Sequence, residues 1–380
     1  MHIGIDANPI TRKFRTGTEW YEFNLLKNMM RLPIDGNKIE LYSNGQLPED
    51  LGRLPDGWSG QRLKWQLPGW SKIRLSARIM RKPPDVLFVP AHSLPRICPR
   101  TTVATVHDVV FRRFPNLYEP SEYERLVRTT NETILRASHI ITVSSATQDD
   151  LFEYYSVPRD RVSVVHLASD TEEFYKRDSA EQMSVRKEYG LSKHFFLCIG
   201  RVELKKNIDT LVRAFELFKS SRPGDDPFEL VLVGKGGYGF DAIQRMVAGS
   251  AYEHHIKGLG WVKQADIPAL ISAAAAYVFP SRGEGFGMPA LEAQACGTPL
   301  LCSDIPALRE VSGNGAAYVS TDNHEEWSAL MHRVTSDEAF ANNLRELGAA
   351  NCVKFSWEQT AKKTLSILLN QQYAKTDTRT

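Results

Sequence analysis

Two pairs of side chains in this 380-residue sequence have the types and spacing to do chemistry: Glu284 with Glu292, and Arg201 with Lys206. The two glutamates bracket a glycine turn inside VFPSRGEGFGMPALEAQACGTPLL, Val278 to Leu301. A short apolar strand leads into Gly283, Gly285 and Gly287. Pro289 then suits a first helical position, and Gly297 followed by Pro299 marks the stop. Glycines let the backbone approach a ligand with no Cβ in the way. The N–H groups of Phe286, Gly287 and Met288 fall where a helix start has no internal acceptors and carries a partial positive charge. That is a seat for phosphate or for sugar hydroxyls. Glu284 and Glu292 would repel phosphate, so they are assigned to hydroxyls, and each carboxylate can accept both hydrogen bonds of a vicinal diol.

The second pair stands in IGRVELKKNI, Ile199 to Ile208. Strand, glycine and then cations before a helix outline a diphosphate clamp. Arg201 offers a planar fork of donors and Lys206 a mobile point charge, with Lys205 as a neighbour. Both would favour a leaving nucleotide as its negative charge develops. His107 and Asp108 end the apolar run TTVATVHD, where a side chain can project from a strand end, and neutral imidazole can donate or accept. Gly17, between Thr16 and Thr18, precedes a helix and could let backbone approach a donor. Ser145 and Gln148 read as an S-x-x-Q capping box with a structural role.

Glu284 to Glu292 is an E-x7-E spacing. With Arg201, Lys206 and the His107-Asp108 pair, the chain from about Ile3 to Leu369 resembles the retaining glycosyltransferases of family 4, which have the GT-B fold. The resemblance implies transfer of a sugar from a nucleotide-diphospho-sugar with retention at the anomeric carbon. It places Arg201 and Lys206 on the diphosphate, Glu292 on the ribose and Glu284, with the amides near Gly285, Phe286, Gly287 and Met288, on the sugar. It places His107 beside the anomeric carbon, Gly17 near the donor, and Gly258 to Val262 beside the nucleobase. The diphosphate itself would assist deprotonation of the acceptor. The segment around Gly17 departs from the family pattern, which usually has two or three glycines there.

These groups need strand ends to hold them. Apolar strands are predicted at Ile3–Asp6, Ile39–Ser43, Val86–Pro90, Val103–His107, Ile140–Ser144 and Val162–Leu167. A second set falls at Phe195–Gly200, Leu230–Gly234, Ile256–Gly260, Tyr277–Pro280, Leu300–Ser303 and Ala317–Ser320. Helical patterns intervene, among them Glu19–Met30, Glu122–Ala137, Asn207–Lys219, Phe240–Val247, Ile267–Ala275 and Pro289–Ala295. Such alternation predicts α/β architecture with parallel sheets covered on both faces. The expectation is two Rossmann-like domains, 1–168 for the acceptor and 169–355 for the nucleotide-sugar, facing across a cleft. The polar stretch Ser169–Ser184 reads as a hinge. The resemblance adds a final helix, 356–370, crossing back to the first domain, and the polar tail QQYAKTDTRT is expected to fray.

A formal net charge of +2 is too balanced for a nucleic-acid binder. Residues 1–168 carry 23 Lys and Arg against 18 Asp and Glu, a net of +5, and the remainder nets −3. Within the basic half, Gln61 to Pro84 holds seven cations and no acid, interleaved with Trp65, Trp70, Ile73, Leu75 and Ile79. That suits an anionic membrane surface or a lipid-linked diphosphate acceptor. The alternative is a solvated basic helix whose aromatics pack inward. Apolar runs are too short for a membrane span, and MHIGIDANPI lacks a leader pattern. The five cysteines show no C-x-x-C pair. A cytoplasmic enzyme with reduced thiols, peripheral on the inner membrane face, is therefore expected. Absence of any D-x-D, with Arg201 and Lys206 to neutralise a diphosphate, points to chemistry without a metal or cofactor.

Donor identity is not written in the residues; the resemblance, through bacterial members that assemble mannose-containing surface polysaccharides, implies a mannosyl donor carrying guanine, with a UDP-sugar as the alternative and a glycan or polyprenyl-diphosphate-linked acceptor. Other readings stay open. Gly234-Lys235-Gly236-Gly237-Tyr238-Gly239 formally reads G-x-G-x-x-G and suggests an NAD-dependent oxidoreductase, but its acidic partner is misplaced: Glu253 precedes a strand rather than closing one. A two-domain sugar-binding protein, or an epimerase or phosphorylase of the same fold, are the remaining rivals.

Overall fold

The structure is a computed structural model that describes residues 1–91 and 93–371. The chain forms two units, each built on one all-parallel sheet. The first comprises Met1–Arg113, Pro120–Leu167 and the chain from Ser356; the second comprises Phe114–Glu119 and Ala168–Phe355.

The first unit runs β1 (His2–Asp6), α1 (Gly17–Met29), β2 (Lys38–Ser43), β3 (Trp58–Arg62), α2 (Ser76–Arg81), β4 (Val86–Val89), β5 (Thr102–Val106), α3 (Val110–Arg113), α4 (Pro120–Arg136), β6 (His139–Thr142), α5 (Ser145–Tyr155) and β7 (Val162–Val164). Its strand order is β3-β2-β1-β4-β5-β6-β7. Strands β4 and β5 are buried along their whole length, because a parallel sheet is covered on both faces. The polar strand β3, WSGQR, was not anticipated. It lies at the sheet edge with only Trp58 buried, so it has no apolar run to betray it.

The second unit runs α6 (Ser179–Glu188), β8 (Phe195–Ile199), α7 (Ile208–Ser220), β9 (Glu229–Val233), α8 (Phe240–Ala248), β10 (Ile256–Gly260), α9 (Ile267–Ala273), β11 (Ala276–Phe279), α10 (Met288–Ala295), β12 (Leu300–Ser303), α11 (Pro306–Ser312), β13 (Ala317–Val319), α12 (His324–Ser336) and α13 (Glu338–Cys352). Its order is β10-β9-β8-β11-β12-β13. One face of this sheet packs Phe196, Phe215, Phe218 and Phe228 against Trp327 of α12; the other packs Tyr277 and Phe279 against Ala290 and Leu308.

The last helix, α14 (Trp357–Asn370), belongs to the first unit. Its buried stripe of Trp357, Thr360, Ala361, Thr364, Leu365 and Leu368 lies against α1, and Thr360 Oγ1 donates to His166 O at 2.7 Å. The tail after Gln371 lies outside the described residues.

Two local expectations are corrected. Ser169–Ser184 is not a plain hinge: Phe174 is buried in the core of the second unit, and α6 begins at Ser179 behind an Asp178–Glu181 capping box. The cap of α5 is Ser144 rather than Ser145. Ser144 keeps an extended backbone, so its Oγ accepts from Thr147 N–H at 3.0 Å. The basic stretch follows the alternative in which its apolar residues pack inward: Trp70, Leu75 and Ile79 are buried, and Trp70 Nε1 donates to Leu63 O at 2.7 Å. Of the apolar residues named there, Ile73 is left exposed and Trp65 half-buried.

Candidate active site

In an open parallel sheet a ligand crevice forms beyond the carboxyl ends of the strands, where the strand order reverses. In the second unit that point lies between β8 and β11. Strand β8 runs into Gly200–Asn207 and β11 into Pro280–Gly287, so topology puts the two predicted motifs side by side. A side-chain contact joins them: Lys206 Nζ lies 2.5 Å from Glu284 Oε1, with only 19% and 11% of those side chains exposed. Lys206 Nζ also lies over the Phe279 ring, 5.4 Å from its centroid.

Local geometry explains how Lys206 gets there. Leu204–Lys206 is a single 3-10 turn, ended by Asn207 in the left-handed region at φ 57°. Asn207 is fully buried and donates through Nδ2 to Thr321 O at 2.7 Å, which offsets the strained backbone. Arg282 ties this turn to the glycine turn. It donates to Leu204 O at 2.7 Å, pairs in bidentate fashion with Asp209 at 3.0 Å, and its own N–H reaches Lys205 O at 2.9 Å. The sequence reading did not single out Arg282. Its position inside the turn was the available signal, but Leu204, Lys205 and Asp209, which it holds, lie more than 70 residues away.

Gly287 caps α10 at φ 95°, and a Cβ there would come within 2.6 Å of Leu308. Helix α10 starts at Met288, with Pro289 second. Phe286 is buried with its ring edge against Phe355, 5.9 Å between centroids. Only its backbone is therefore suited to a ligand. Glu292 is mostly buried, and among the described residues no cation acts on it. Burial, and then the charge of Glu173, push its carboxyl up to about 8. At neutral pH it is largely protonated, able to donate one hydrogen bond and accept another.

Arg201 stands apart from the Lys206–Glu284 pair. Its side chain is 57% exposed and its Nε lies 3.3 Å from Glu203 Oε2. The loop that carries it is held by the glycine-rich segment: Val202 N–H donates to Lys235 O and Gly237 N–H to Val202 O, both at 2.9 Å. Gly234 is required by that contact, since a Cβ on it would fall 1.9 Å from Gly200 O. The glycines that formally matched a dinucleotide loop thus serve packing between two loops of the chain itself. Val262 offers a ligand its backbone rather than its side chain. Its side chain is buried in the core, and the exposed ring of that segment is Trp261, 46% accessible, with Lys235 Nζ 5.4 Å from its centroid.

The first unit repeats the switch point between β1 and β4. His107 follows β5. Its Nε2 lies 3.0 Å from Pro90 O, and its ring meets Tyr21 edge-on at 4.8 Å. Burial holds its pKa below the ordinary imidazole value, so it stays neutral at physiological pH. Gly17 is the first residue of α1, capped by Thr16, whose N–H donates to Glu19 at 3.0 Å. Two acids escaped the sequence reading here. Asp6, at the end of β1, is buried and pushed up to about 7. Glu22, on α1, is 1% exposed with neither carboxyl oxygen hydrogen-bonded, and burial followed by Asp6 holds it well above the usual carboxylate range. No motif marks either residue; burial alone makes them unusual. Cys198, Cys296 and Cys302 are buried, and all five cysteines are unbridged. Among the described residues no group of three His, Cys, Asp or Glu is placed to hold a metal ion, and no helix is long and apolar enough to cross a membrane.

Residues 181–350 match the family described as Glycosyl transferases group 1, and residues 16–173 match Glycosyltransferase Family 4. The O-antigen chain mannosyltransferase B of Escherichia coli is 30% identical over 265 residues, 70% of this chain and 69% of that protein. The chain belongs to the group 1 glycosyltransferases. The O-antigen chain mannosyltransferase RfbU of Salmonella typhimurium is 28% identical over 70% of this chain and 68% of that one. Among solved structures, the sucrose-phosphate synthase of Thermosynechococcus elongatus superposes with a TM-score of 0.75 at 18% identity, over 99% of this chain and all of that one. The two parallel sheets are thus those of a GT-B glycosyltransferase, and the dehydrogenase reading of the Gly234–Gly239 turn falls away.

Proposed function

We propose that this glycosyltransferase moves mannose from GDP-mannose to a hydroxyl of a glycan carried on a polyprenyl diphosphate, with retention at the anomeric carbon, in the assembly of a surface polysaccharide. The observation that carries the reading is the Lys206–Glu284 contact at the carboxyl ends of β8 and β11, in a chain 30% identical to an O-antigen mannosyltransferase. Lys206 and Arg201 hold the diphosphate. As the anomeric C–O bond breaks, charge gathers on the departing phosphate oxygen, where these cations stabilise it. Glu284 accepts from the sugar hydroxyls, helped by backbone N–H groups at the Gly287 cap. Glu292 meets the ribose diol, and neutral His107 serves the sugar near the reacting carbon. The acceptor proton passes to the leaving diphosphate on the same face. Lys206 and Arg201 neutralise the diphosphate without a metal or other cofactor, and the reaction takes place on the cytoplasmic side of the membrane.

The test is a thermal-shift panel of GDP, UDP, ADP and dTDP, followed by turnover of GDP-mannose with the product's anomeric configuration read by NMR. At 100 times its Kd a nucleotide adds about 2.7 kcal/mol of stability. A shift with GDP, an α-linked product from the α-linked donor and activity that survives EDTA are expected. A shift with UDP and none with GDP would replace the donor. No shift with any of the four would overturn the reading.

A further inference from the structure

The first unit carries an exposed apolar face that the reaction does not use. One π-helical turn, Ser71–Leu75, continues into α2, and its outward side presents Ile73, 49% exposed, and Met80, 64% exposed. Leu67, just before it, is 66% exposed. Contacts of three side chains bring further residues alongside. Lys72 Nζ binds Glu132 of α4 at 2.7 Å, one helical turn from Leu135, which is 83% exposed. Ser76 Oγ accepts from Ile97 N–H at 3.2 Å, and Arg136 reaches back to Pro95 O and Arg96 O. Leu135 also closes a shallow groove of about 440 Å³ along α4, lined by Tyr123 and Val127.

The charges around this face have one sign where it protrudes. Lys64, Arg81, Lys82, Arg96 and Arg100 are exposed and Arg74 half-exposed, while residues 61–84 and 93–100 contain no Asp or Glu. On α4 two acids line the groove beside Leu135: Glu132, which is paired with Lys72, and Glu124, which shares the groove with Arg128. We propose that this face docks the enzyme on an anionic bilayer, with Leu67, Ile73, Met80, Ile97 and Leu135 entering the interface and the cations meeting lipid phosphates. Branched and thioether side chains among lysines and arginines are the composition of such an interfacial surface. A second copy would bring the same cations together, and a nucleic acid would leave the apolar tips in water. The proposal stands whichever donor the enzyme uses.

Flotation of the full chain with vesicles tests it, comparing phosphatidylcholine alone with equimolar phosphatidylcholine and phosphatidylglycerol. Binding to the anionic vesicles only is expected, with loss in high salt. Arg81→Glu/Lys82→Glu should weaken it at least tenfold, since each cation near the surface contributes about fivefold. Leu67→Ser/Met80→Ser should weaken it as well, with melting unchanged because both positions are exposed. Lys38→Glu/Arg53→Glu makes the same charge change at exposed sites elsewhere in the unit and should float like the parent. Equal weakening by that control, equal binding to neutral vesicles or no binding at all would overturn the proposal. So would a dimer in light scattering that Met80→Ser dissolves.

Discussion

Replacing Lys206 by alanine tests the site where it is most tightly constructed. Lys206 Nζ and Glu284 Oε1 are 2.5 Å apart, in side chains only 19% and 11% exposed. Breaking a fully buried pair costs about 3–5 kcal/mol because it strands a charge. The exposure here discounts that to about 2–3 kcal/mol, a fall in melting temperature that calorimetry resolves. The same substitution removes a charge-assisted bond to the diphosphate, worth about 1.5–3 kcal/mol, so GDP affinity by titration calorimetry should drop roughly 10- to 150-fold. Glu284→Gln acts in the opposite direction on free nucleotide. In the unliganded enzyme Glu284 competes with phosphate for Lys206, and removing its charge frees the cation. GDP should therefore bind as well or several-fold better, while turnover of the sugar nucleotide falls by roughly 10²-fold or more, as when a group that orders the transition state is lost. In the double variant the two stability losses should couple by about 1–3 kcal/mol. The reasoning is refuted if folded Lys206→Ala binds GDP within twofold of the parent, or if Glu284→Gln weakens GDP binding.

Four other outcomes follow from the same structure. Glu292 holds an extra proton in the folded state between its ordinary value near 4.5 and about 8, so its contribution to stability falls as pH rises through that window. Glu292→Gln should flatten the profile and melt higher at pH 8, by on the order of 2–4 kcal/mol in a urea titration. Glu22→Gln should likewise stabilise the first unit at neutral pH, because its raised carboxyl is penalised as pH rises; a variant no more stable than the parent at pH 8 would contradict this. Arg282→Ala should cost about 2–4 kcal/mol and raise the KM for donor, since it holds the Lys206 turn through Leu204 and Asp209 rather than touching substrate. Gly287→Ala meets both a left-handed backbone and the Leu308 contact, and should lose about 2–4 kcal/mol by chemical denaturation.

What could be read from residues alone was whatever is written in short range. Runs of apolar residues interrupted by helical periods marked twelve of the thirteen strands among the described residues, and with them two parallel sheets. Glycine, proline and paired acids marked the Gly283–Gly287 turn and α10, because backbone conformation and helix starts depend on neighbours a few positions away. Strand β3 was lost because an edge strand can be polar. The features that depend on burial were also invisible: Val262 turned inward, Asp6 acquired a raised pKa by being enclosed, and Glu22 by enclosure and then by the neighbouring charge of Asp6.

Tertiary structure decided the contacts that make the site work. Lys206 and Glu284 lie 78 positions apart, and so do Arg282 and the Leu204 carbonyl it binds. Sequence could say that each residue sits at a strand end, but not which strand ends adjoin. That adjacency follows from the order β9-β8-β11-β12, in which β11 hydrogen-bonds beside β8 although two strands intervene along the chain. Strand order is set by how whole faces bury against helices, a sum over the entire unit that no local pattern contains.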